Sequence, residues 1–344
     1  MNASHAELER DGWRGEGVRV EHVAGELDRL HRAHTRDGRG HALTRTLNLI
    51  VAPASQDLDA SVEGALERLG AHNPSRTLIL RRHDDDRLDA EARIECELWD
   101  AAGRVGFCHD QVVLTGDDSR LGHAASLLAP LLIPDLPTVL WLPDLEAGLP
   151  DPLLLERTQQ VLVDSAGDAV PLPSLASLVR GVRVHDLAWG RLEFWRAATA
   201  AAFDPPERRD LLSRVTSLEL RYEGQPLTPA LLLAGWVSAR ARWRPERIEV
   251  RDGQALGRAV RPDGGEVELS LGRDPRARGC GGVETLTLRA DSDEVTVTRG
   301  AATNRLRDLF AEALMPLASF ARGYAEALGA ATAMLDGGRS AAGS

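Results

Sequence analysis

The chain has 344 residues, a formal net charge of −11 and 43% hydrophobic residues, which suits two domains with ordinary packed cores and excludes a disordered chain. The acidity disfavours nucleic acid and anionic membrane surfaces as partners, and no apolar run approaches the roughly 20 residues of a membrane span. All 41 basic residues are Arg, so a Schiff-base lysine, a P-loop lysine and a kinase strand lysine are excluded.

Residues 1–17 lack the apolar core of a signal peptide and read as a disordered N-terminus of a cytoplasmic chain. From Val18 to His34 the spacing of Val20, Val23, Leu27 and Leu30 predicts a helix, stopped by RDGRG. LTRTLNLIVA (43–52) reads as a strand. Asp57 is a candidate cap for a helix carrying Val62, Leu66 and Leu69, ending near Gly70. SRTLIL (75–80) is the next strand, and RRHDDDR a hydrophilic loop. ARIECELWD and VGFCHDQVVL then form a hairpin around Ala101, Ala102 and Gly103, a three-residue connection that places Cys96 opposite Cys108. A helix over Ser119–Ala129, a buried strand over Thr138–Leu142, a helix near Asp151–Gln159 and the short strand QVLVDS follow. Strands alternating with helices, plus one hairpin, make an α/β N-terminal domain with a mixed sheet, over residues 18–172.

The Pro and Gly punctuation of PLPSLASLVRG marks the domain change. Beyond it, DLAWGRLEFWRAATAAAFD predicts one strong helix with Leu192, Trp195, Thr199, Ala202 and Phe203 as its apolar stripe. Strand SRVTSLELRY, helix TPALLLAGWVSARARW and strands RIEVR, GEVELSL, VETLTLRA and EVTVTRG come next. Their alternation suits a mostly antiparallel sheet open on one face. A helical stretch covers about 303–335, broken near Pro316. The reading is an α+β C-terminal domain over 173–336 and a disordered tail over 337–344.

Candidate chemistry is sparse. No HExxH, GxSxG, GxGxxG or CxxC motif occurs, and three cysteines are too few for a cysteine-based zinc site. The expectation is therefore no catalytic residue, no metal and no cofactor. Asp164 and Ser165 follow an apolar strand, where ligand loops often sit, and Arg76 in NPSRT offers an anion contact; a capping turn for the first and a turn into a strand for the second are the plainer readings. Asp84–Asp86 offers carboxylates to a divalent cation, but a solvated loop is the plainer reading. Cys96 and Cys108 form a candidate redox pair, with free thiols expected in a reducing compartment. Trp195 is assigned to the core, whereas Trp189, beside Gly190, fits exposure or burial. Pro134-Asp135-Leu136-Pro137 enters the buried strand as a rigid corner, or as a preorganised loop offering Asp135 and Leu136 to a partner.

The order of these stretches goes further. LNLIVA, NPSRTLIL, LLIPDLPTVLWLP, VDSAG, HDLAWGRLEFWRAATAAAFD and LLLAGWVSARARW, running from about Leu43 to Trp243, resemble the glucose-6-phosphate dehydrogenase assembly protein family, OpcA. FCHDQV departs from that pattern, since Phe107 stands where many members carry a cysteine. The resemblance implies a non-catalytic partner that binds glucose-6-phosphate dehydrogenase, favours its active oligomer and supports NADPH production in the oxidative pentose phosphate pathway. Asp135, Leu136 and Trp189 are then candidates for the partner interface. The rival reading is a sugar-phosphate sensor or enzyme built on Arg76, Asp164 and Ser165.

Overall fold

In the computed structural model, residues 9–36, 45–52, 64, 66, 74–98, 105–143, 151–166, 172–208, 210–223, 227–251, 253–273, 282–298 and 323–336 are described. They fall into two compact units, and the chain passes from the first to the second between Val163 and Asp164.

The first unit carries strands β1 (Glu9–Gly15), β2 (Leu47–Val51), β3 (Ser75–Arg82), β4 (Asp89–Leu98), β5 (Val105–Gly116), β6 (Thr138–Leu142) and β7 (Gln160–Val163). Its helices are α1 (Val20–Arg36), α2 (Asp118–Leu121), α3 (Ala124–Leu128) and α4 (Pro152–Glu156). Within the unit the sheet order is β1-β4-β5-β3-β2-β6-β7. Strands β5, β3, β2, β6 and β7 run parallel, and β4 and β1 are antiparallel additions. Strands β2, β6 and β7 are buried at every position, because parallel strands are covered on both faces. That is why they read as continuous apolar runs rather than alternations.

The second unit holds α5 (Leu172–Gly181), β8 (Arg183–Asp186), α6 (Leu187–Arg191), α7 (Glu193–Ala201), α8 (Leu211–Arg214), β9 (Ser217–Glu223) and α9 (Thr228–Ala241). After these come β10 (Arg244–Pro245), β11 (Glu249–Arg251), β12 (Gln254–Val260), β13 (Glu266–Arg273), β14 (Gly282–Ala290), β15 (Asp293–Thr298) and α10 (Tyr324–Asp336). Its sheet has the order β10-β12-β13-β9-β14-β15, with β11 also on β12; only β13 and β9 pair in parallel. Helix α9 is apolar nearly all round and buried over most of its length, because α10 packs on it as well as the sheet. At Gly235 the fit is tight: a Cβ there would lie 2.3 Å from Ala327 O. The opposite sheet face carries charged pairs, such as Arg289 with Glu219 and Glu294.

The elements differ from the sequence reading in identifiable ways. Residues 9–15, read as disordered, are β1, since β4 offers a free edge and its pairing uses backbone groups that any sequence supplies. The helix expected over 119–129 is two short ones, α2 and α3, interrupted at Gly122 and His123. The helix expected from Leu187 onward breaks at Leu192, whose φ of −85° and ψ of 0° leave the helical well. Its predicted stripe survives: Leu192, Trp195 and Thr199 are buried. Residues 172–181, whose Pro and Gly punctuation reads as a domain change, form α5, while the break between the two contact-defined units lies between Val163 and Asp164. Strand β12 was not legible, because QALGRAV has little β-branched character; its Gly257 is needed where a Cβ would lie 2.4 Å from Ile248. The helix expected over 57–70, most of the stretch 303–322 and the tail 337–344 lie outside the described residues. Among the described residues no helix is long and apolar enough to cross a membrane.

Candidate functional site

The proline loop is strapped down by one buried residue. Asn48 of β2 is next to Thr138 in the parallel register. Its side-chain amide donates to Ile133 O at 3.1 Å and Leu136 O at 3.4 Å, and its carbonyl oxygen accepts from Ile133 N at 3.0 Å. Gln159 completes the corner by accepting from Thr138 N at 2.6 Å. Asp135 at the tip is exposed and has φ 67°, a left-handed geometry that Asp tolerates better than most residues. Leu136 is half-buried. The corner is thus fixed from β2, a role that the single polar residue in LNLIVA could have signalled.

Arg76 belongs to a buried ionic cluster around Asp110 of β5. Arg45 donates to Asp110 from Nε at 2.6 Å and from Nη2 at 2.8 Å, and Arg76 Nε donates at 3.0 Å. Arg76 Nη1 donates to Leu131 O at 2.8 Å. His31 Nε2 lies 2.9 Å from Asp110 and 2.7 Å from Arg45 Nη2; a proton on Nε2 serves the first contact and a lone pair the second, so one ring state makes only one of them. Burial pushes the Asp110 carboxyl up, but hydrogen bonds from His31 and Arg45 and their charge outweigh it and hold the group well below the usual carboxylate range. The guanidinium of Arg76 is committed to this cluster.

Ser165 and Asp164 lie in the second unit and are equally committed. Asp186, at the end of β8, is buried and accepts four hydrogen bonds: Ser165 N at 3.0 Å, Ser165 Oγ at 2.6 Å, Ala188 N at 2.9 Å and Tyr324 OH at 2.8 Å. It caps α6 and ties the loop after β7 to the start of α10. Burial pushes Asp186 up, against the pull of the Ser165 and Tyr324 hydrogen bonds. Burial, followed by the neighbouring Asp186, pushes Tyr324 well up. A nucleophilic serine must reach a substrate, and Ser165 is 0% exposed. Asp164 accepts from Ala166 N at 3.0 Å and from Arg191. Trp189 is 1% exposed, between the Tyr324 ring, 5.6 Å away, and the Arg196 guanidinium, 3.8 Å above its own ring. It therefore offers no surface to a partner, and its expected place at an interface is corrected to the core. Among these anchors only Asp186 had a sequence signal, as an Asp immediately before a helix.

The hairpin register is as expected, with Cys96 opposite Cys108. Cys108 is fully buried and disulfide-bonded, with His34 Nε2 3.4 Å from its sulfur. Direct cross-strand opposition puts the two backbones within reach of such a bond. In the acidic loop, Asp86 pairs with Arg120 and Asp85 with Arg87. Among the described residues no group of three or more His, Cys, Asp and Glu side chains is placed to hold a metal ion.

Comparison with known proteins gives the following. Residues 66–180 match the glucose-6-phosphate dehydrogenase subunit N-terminal domain, and residues 182–314 the C-terminal domain of the same subunit. A putative OxPP cycle protein OpcA from Synechocystis is 31% identical over 220 residues, covering 61% of this chain and 46% of that protein. A second putative OxPP cycle protein OpcA, from Synechococcus elongatus, is 29% identical over 210 residues, covering 58% of this chain and 46% of that protein. The chain spans about half the length of the curated relatives it matches. Among solved structures, a myo-inositol 2-dehydrogenase from Lactobacillus plantarum aligns with 85% of this chain and 98% of its own, at 10% identity and a TM-score of 0.42. A likeness at that level carries no information about activity.

Proposed function

The chain belongs to the OpcA family, and from that premise we propose that it is a non-catalytic assembly factor that binds glucose-6-phosphate dehydrogenase in the cytoplasm and raises its activity. The activated enzyme then supplies NADPH through the oxidative pentose phosphate pathway. One observation carries the non-catalytic part of this reading: the polar residues best placed by sequence for chemistry are consumed inside the fold. Ser165 is enclosed by Asp186, and Arg76 is held by Asp110 and Leu131 O. Activation by such a protein needs only tighter binding to the active state of the enzyme, and a coupling of about 1–3 kcal/mol corresponds to roughly 5–150-fold.

The test is a titration of purified cognate dehydrogenase with this protein, reading both binding and NADPH formation. The expected result is a saturable complex with raised activity, and no NADPH from the isolated chain given glucose 6-phosphate and NADP. Turnover by the chain alone, or an enzyme indifferent to its presence, would refute the reading.

A further inference from the structure

We draw no further inference here: the strongest candidate, the open face of the second unit's sheet, where Leu256 stands exposed among the paired charges of Arg258, Glu219 and Arg289, is mostly polar, as the solvated side of an antiparallel sheet ordinarily is, and nothing in the structure shows what covers it.

Discussion

Two single residues set conditions that a substitution can read. Asp135 sits at φ 67° with an exposed side chain, and among the described residues no hydrogen bond fixes its carboxylate. Its worth is conformational, so Asp135→Gly should be close to neutral. Asp135→Val should cost about 1–2 kcal/mol, because a β-branched residue resists the left-handed region. Chemical denaturation of both variants checks this. Asp110 behaves oppositely: its charge matters and its backbone does not. Folding lowers its affinity for a proton, so its contribution is complete above the range in which a free Asp titrates, near 4. It is lost as pH falls further. Asp110→Asn should therefore destabilise the protein at neutral pH by roughly 3–5 kcal/mol, by leaving Arg45 and Arg76 buried without their anion. It should also flatten the acid limb of a stability–pH curve. An unchanged acid limb would mean that other carboxylates set it.

Among the elements, the pair α9 and α10 is the most demanding in geometry. Gly235 lets the two backbones touch, so Gly235→Ala should cost about 1–3 kcal/mol through overpacking, although alanine is the better helix former. A melting temperature equal to or above that of the wild type would show that α10 can shift outward freely. Elements of this kind divide sharply in how legible they are. Strands β2, β6 and β7 announce themselves because burial on both faces demands apolar residues throughout. Helix α9 does so for the same reason. Strand β1 and strand β12 do not, because backbone pairing and close packing at Gly257 create them. The break at Leu192 was also hidden, since the apolar stripe continues in phase across it.

Over the whole molecule, the order of motifs identified the family where no single motif would. The mixed first sheet and the mostly antiparallel second sheet were readable separately, from the succession of strand and helix patterns. The long-range partners of the anchors were not: Asp110 gathers groups from residues 31, 45 and 76, and Asp186, legible only as the cap of α6, also takes groups from residues 165 and 324. Such separations carry no local signal. The proline loop belongs to this scale too, because its purpose depends on Asn48, far away in sequence. Since Asn48 fixes its backbone and Leu136 is half-buried, Leu136→Arg should leave both the fold and the binding of the dehydrogenase near wild type. A folded Leu136→Arg protein that no longer binds would make the loop a partner surface after all.

Strand β1 has a practical consequence. It occupies the outer side of β4, which otherwise ends the sheet with a row of unsatisfied amides and carbonyls. A chain shortened to begin at residue 17 would expose that row over most of the length of β4. Its expected behaviour is concentration-dependent aggregation at temperatures where the full chain stays dispersed, measurable by light scattering. Residues 9–15, mostly polar and unremarkable in composition, act as a selvedge that keeps the sheet from unravelling into its neighbours.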